Sequence, residues 1–179
     1  MSGCGVQSIP QATNEVDGAM AEVTNQYKRR ADLIPNLVSV VKGYAKHEGD
    51  TLVKVTEARA KATAVNVDPS KVDAKKLQEF QSAQGELSQA LGRLMVVVEK
   101  YPDLKADQNF RDLQAQLEGT ENRITVARQR HIEAIKNFNN LVTVPPTSWT
   151  NNLFYHKEKL PQWNVAAGEN VEQVPKVEF

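Results

Sequence analysis

A single cysteine, Cys4, stands in 179 residues, so no intrachain disulfide can hold this fold together. At this length none is needed, because one domain can bury a sufficient core. Long apolar runs are absent too: the strongest, Leu94 to Val98, is far short of the roughly 18–20 residues that span a bilayer. Net charge is missing, with Lys+Arg and Asp+Glu each at 22, which leaves no overall field to draw the chain to nucleic acid or to an anionic membrane. Lys28-Arg29-Arg30, with Asp32 beside it, reads as a solvated face plus one inward arginine rather than a nucleic-acid patch.

The patterns of catalysis are lacking as well. Glycine-rich phosphate loops, dinucleotide fingerprints and nucleophile elbows do not occur. His47, His131 and His156 fall on different elements, with no Glu-x-x-His or His-Glu-x-x-His to gather a metal. The expectation is a non-enzyme that needs no cofactor.

What is present is helix. Ala, Gln, Glu and Lys are plentiful, and apolar residues recur at alternating steps of three and four. The first run carries Val16, Met20, Val23, Tyr27, Ile34, Leu37, Val41 and Tyr44 on one seam; the third carries Leu77, Phe80, Gln84, Leu87, Leu91, Leu94, Val98 and Tyr101. The fourth carries Phe110, Leu113, Leu117, Thr120, Ile124, Ala127, His131, Ala134, Phe138 and Leu141. Thr13 or Asn14 caps the first helix, and Asp68-Pro69 opens the third. The reading is an all-α fold: an elongated, antiparallel, up-and-down four-helix bundle over residues 12–144, with helices over about 13–48, 50–64, 69–101 and 105–143. A tether, residues 1–11, precedes it. A tail, 145–179, holds Trp149, Phe154, Tyr155, Trp163 and Phe179, too many aromatics for a disordered segment, and is expected to pack partly on the bundle.

Two features break the seams. Arg30 is the one seam position of the first helix wrong for a core. If the first and fourth helices pack antiparallel with midpoints together, Arg30 meets Thr120 and Glu121, with Gln84 at the middle of the third helix. An inward arginine must be paired, so Arg30 is expected to pair with Glu121 in a polar layer that fixes register, unless it snorkels to solvent. Pro35 sits inside the same helix, where it removes a backbone donor; because the seam keeps phase across it, a kink rather than a break is expected, with Asp32 and Asn36 satisfying the groups it frees.

Met1-Ser2-Gly3-Cys4-Gly5 is similar to the end of a bacterial lipoprotein signal, in which small residues precede a lipidated cysteine; from these residues alone a chance cysteine fits as well. RRADLIPNLV followed by VKGYAKHE, the stretch from Tyr101 to Val142 with its EGTENRI, and the closing PKVEF resemble the LemA family of bacterial envelope proteins over residues 12–179. The resemblance implies membrane attachment, here through lipid on Cys4, a place in the cell envelope facing the periplasm or exterior, and other envelope proteins as partners. It implies no reaction. Three functions follow in order: a membrane-tethered scaffold or adaptor, a small-ligand-binding or enzymatic domain centred near Asp32–Asn36, and a self-assembling coiled coil.

Overall fold

In the computed structural model, which describes residues 7–71 and 73–163, every regular element is helical. The elements are α1 (Ser8–Tyr44), α2 (Gly49–Ala64), α3 (Ala74–Val98), α4 (Pro102–Ala106), α5 (Gln108–Thr143) and α6 (Thr147–Thr150). A 3-10 turn (Pro69–Lys71) precedes α3 and a π-type turn (Asn151–Tyr155) follows α6.

Helix α1 begins at Ser8, inside the expected tether and ahead of the expected caps Thr13 and Asn14. Pro10 falls in its first turn, where the backbone donors have no intrahelical partner, so a proline there removes nothing. Thr13 instead donates its hydroxyl back to the Ile9 carbonyl at 2.9 Å, as an interior residue does. The buried stripe then runs Ile9, Ala12, Val16, Met20, Val23, Tyr27, Arg30, Ile34, Leu37, Val41 and Ala45. Ten steps cover the 36 positions from Ile9 to Ala45, the period of a straight α-helix rather than of a heptad. That drift explains why Tyr44, a seam residue at period 3.5, is exposed and Ala45 takes its place. Helix α5 does the same: Ile135 and Val142 are buried where the heptad put Ala134 and Leu141.

Pro35 does not interrupt α1. Lacking an N–H, it leaves the Ala31 carbonyl one turn earlier without its helical donor. Arg59 of α2 supplies the replacement, its Nε donating to the Ala31 oxygen at 2.8 Å. Asp32 and Asn36, expected in this role, are both exposed, and the donor to this carbonyl is Arg59.

Side-chain contacts fix the directions of the helices. Glu22 pairs with Arg130, Gln26 with Arg123, Arg30 with Glu121 and Tyr44 with Asp107, so α1 and α5 are antiparallel along their lengths. Tyr27 packs edge-on to Phe80 and Arg30 reaches Gln84 and Ser88, so α3 runs with α1. Helix α2 opposes α3, with Ala62 beside Gln84 and Glu48 beside Tyr101.

Helix α3 starts at Ala74, not at Pro69: Asp68 binds the Ser70 N–H and hydroxyl and closes only the 3-10 turn, while Asp73 accepts the Lys76 N–H at 2.7 Å and caps the helix. The expected helix over 105–143 is likewise divided. Proline at the first position opens the short α4, and Asp107 accepts the Phe110 N–H at 2.8 Å to begin α5. The tail, expected to be irregular apart from a single turn around Asn152–Lys157, first makes α6 and the π-type turn, which His156 closes in the left-handed region at φ 52°. It then runs without regular structure over 157–163.

The proline and the arginine are energetically coupled. Replacing Arg59 by Ala orphans the Ala31 carbonyl and is expected to destabilise by about 1–2 kcal/mol. In a Pro35→Ala background the new backbone N–H restores the helical donor, so the same replacement should cost only a few tenths, a non-additivity of about 1 kcal/mol read from urea denaturation of the four proteins.

Candidate functional site

The polar layer divides the core in two. One apolar cluster gathers Ile34 to Ala45 of α1, Leu87 to Val98 of α3 and Phe110 to Leu117 of α5. The other gathers Ile9 to Tyr27, Leu77, Phe80, Ile124 to Val142 and Trp163. Arg30, Gln84 and Thr120 occupy the gap on their three helices, and all are buried.

Arg30 is 1% exposed. Its Nη1 donates to Glu121 Oε1 at 2.7 Å and to Ser88 Oγ at 2.9 Å; its Nη2 donates to Gln84 Oε1 at 2.7 Å and to the Gln84 carbonyl at 3.2 Å. Four of the five guanidinium donors are thus used, and Nε–H has no hydrogen-bond partner. The guanidinium carbon lies 4.9 Å from the centre of the Tyr27 ring, which adds a cation–π attraction where water is excluded. Gln84 is held in turn, its Nε2 donating to the Ala62 carbonyl of α2 at 3.3 Å. One side chain therefore ties α1 to α3 and α5, and through Gln84 to α2. Glu121 is 48% exposed, so its carboxylate keeps part of its hydration while it neutralises the buried cation.

Thr120 sits at the same height but takes no part in this network. Its hydroxyl donates to the Gln116 carbonyl at 2.8 Å and accepts from Arg123 Nη2 at 2.9 Å. Ser88 is the member that sequence reasoning missed; its place one turn after Gln84 on the same helix was the available signal. Of the residues grouped with the proline, Asp32 lines a cavity of about 420 Å³ between α1, α2 and α3, together with Thr24, Lys28, Asn66 and Gln84. Pro35 and Asn36 do not line it.

A second buried polar contact fastens the tail. Asn151 donates its amide to the Lys157 carbonyl at 2.9 Å and accepts the Lys157 N–H at 3.0 Å. Asn139 of α5 does the same for Leu160, at 3.1 and 2.8 Å. Each amide satisfies both backbone groups of one residue outside regular structure, which lets the chain run back along α5. There Trp163 Nε1 donates to His131 Nδ1, with the rings edge-on and Arg128 stacked over the indole. Burial holds the His131 imidazole down at about 4, well below its usual 6.5. It is thus neutral at pH 7, and Nδ1 is free to accept. This histidine is a core residue under a tryptophan, and no group of three or more His, Cys, Asp or Glu side chains that could hold a metal occurs among the described residues. Cys4 lies outside the described residues.

Fold and site together define an all-helical protein with a core bisected by a buried arginine. Its relatives are specific. The sequence model of the LemA family matches residues 19–179, and the chain belongs to that family. It is similar to Protein LemA of Metamycoplasma hominis, 27% identical over 154 residues, an alignment covering 86% of this chain and 64% of that relative. The chain thus spans a little under two thirds of the relative's length.

Removing acceptors from Arg30 should rank by burial. Gln84→Leu leaves a buried cation without its inner partner and is expected to cost about 2–3 kcal/mol. Glu121→Gln keeps an acceptor at a half-exposed position and should cost about 1 kcal/mol or less; equal losses in thermal unfolding would contradict this geometry.

His131 sets a pH dependence of known sign. The unfolded imidazole takes a proton near 6.5 and the native one only near 4, so its contribution to stability is complete above about pH 6.5 and is lost as pH falls toward 4. Denaturation between pH 7 and 4 should show a flatter decline for His131→Phe than for the native chain.

Proposed function

We propose that this LemA family member is a non-catalytic, membrane-tethered scaffold or adaptor, anchored by lipid on Cys4 and facing the periplasm or cell exterior. In this reading α1, α2, α3 and α5 act as one up-and-down four-helix rod. The observation that carries it is the start of α1: the 37-residue helix begins four residues after Cys4, so a rigid element about 55 Å long leaves the anchor with almost no slack. The antiparallel α5 and the Arg30 network stiffen that element, which suits a stand-off that presents helical surfaces to other envelope proteins. No described helix is long and apolar enough to cross a membrane, so attachment through these elements calls for lipid or surface contact.

A second reading, binding of a small polar ligand, is favoured by the cavity beside Tyr27, Lys28, Asp32 and Gln84. Self-assembly as a coiled coil is less favoured, because the stripes of α1 and α5 are buried against one another within the chain.

Mass spectrometry of the full-length product from membranes should find a diacylglyceryl thioether on Cys4. Crosslinking in intact envelopes should recover the same partner proteins from repeated preparations, and fewer of them when the Cys4→Ser form is expressed. An unmodified Cys4 sinks the anchor; recovery of no partner sinks the scaffold.

A further inference from the structure

The two ends of the helical body differ in a way the scaffold reading does not use. At the end formed by the α1–α2 turn and α4, charge is dense: Lys46, Glu48, Asp50, Glu99, Lys100, Asp103, Lys105 and Asp107. Toward the other end two segments of the chain carry none. No Asp, Glu, Lys or Arg occurs over residues 1–14, or over the nineteen residues from Asn137 to Tyr155, in a chain that is 25% charged. The described parts of these two segments are neighbours in space: α1 and α5 are antiparallel, and Ile9 shares a core cluster with Phe138 and Val142.

This end also carries the most exposed cluster of large apolar side chains among the described residues. Trp149 is 68% exposed, Leu153 70% and Phe154 63%, all within α6 and the π-type turn. Leu153 and Phe154 follow Trp149 by four and five residues, the spacings that bring side chains to one face of an α- or π-type turn. The side chains that anchor this hook point the other way: Ser148 and Asn151 are buried, and Asn151 is bonded to Val142 and Lys157. The hook is therefore held in a fixed conformation while its apolar face is left open. Beyond it, exposed Lys157, Glu158 and Lys159 mark where charge resumes.

We propose that this hook is a bilayer-contact element: Trp149, Leu153 and Phe154 enter the boundary between headgroups and acyl chains. A protein surface as partner is the weaker fit, because such interfaces ring an apolar centre with a polar, solvated rim. Here, among the described residues, the two segments meeting at the hook, 8–14 and 137–155, carry no charge, and the charged groups Asp17, Lys71, Lys157, Glu158 and Lys159 line a cleft beside them. Charged groups would have to lose water on approaching the boundary, and uncharged Asn and Thr do so at much smaller cost. Tryptophan is the side chain that interfaces favour, and lysines just outside can reach headgroups along their stems. The position fits as well, since Cys4 is four residues from Ser8 and so within about 14 Å of it. The inference deepens the tethered reading, and its test omits the lipid so that the two can fail separately.

The full chain carrying Cys4→Ser is mixed with phosphatidylcholine vesicles and then with vesicles containing phosphatidylglycerol. Trp149 emission should shift to the blue and be quenched by brominated acyl chains, while buried Trp163 stays unchanged; in Trp149→Phe the shift should vanish. The variant Trp149→Ser, Leu153→Ser, Phe154→Ser should keep its helical content and thermal midpoint and lose at least about tenfold in vesicle partitioning. Stronger binding to phosphatidylglycerol would assign part of the contact to Lys157 and Lys159. The proposal is overturned if the unmodified hook gives no partitioning, if the triple variant partitions equally, or if the hook instead drives a concentration-dependent dimer in sedimentation that the triple variant abolishes.

Discussion

Burying the charge of Arg30 is the constraint around which the helices are arranged. A guanidinium in a core is tolerable only where acceptors converge on it, and here they come from two other helices. Sliding α5 by one turn along α1 removes Glu121; sliding α3 removes Gln84 and Ser88. Apolar stripes alone tolerate such slips, since one leucine is as good a neighbour as the next. The acceptors around Arg30 meet one guanidinium only at the observed heights of α1, α3 and α5.

Much of the helical content was legible because it rests on periodicity, and Arg30 stood out as the lone interruption of an otherwise apolar stripe. Its approach to Glu121 follows from pairing two long helices at their midpoints. Three things were not legible. The last turns of α1 and α5 follow a period of 3.6, and a seam counted at 3.5 drifts off the buried face by Tyr44 and Leu141. Arg59 is bound to Pro35 by a relation between helices that exists only once α2 has been placed beside Ala31. Helix starts were misplaced where two candidate caps compete, as with Asp68 and Asp73, because both form caps and only one opens a long helix.

The described part of the tail, residues 145–163, shows how a segment without helical pattern can still be held against the bundle. The backbone groups of Lys157 and Leu160 are satisfied by the side-chain amides of Asn151 and Asn139 rather than by a strand, and Trp163 packs edge-on to His131. The aromatic residues divide accordingly: Trp163 is an internal fastening, whereas Trp149 and Phe154 face outward. Composition could count these rings but not assign them to opposite roles.

The division of the core by the Arg30 layer has a consequence for motion. Each apolar cluster is complete on its own side, with contributions from α1, α3 and α5. A local opening of one half need not disturb the apolar contacts of the other, because the arginine layer stands between them. A body built this way is two separately packed halves strung on continuous helices, with the boundary between them set by one side chain.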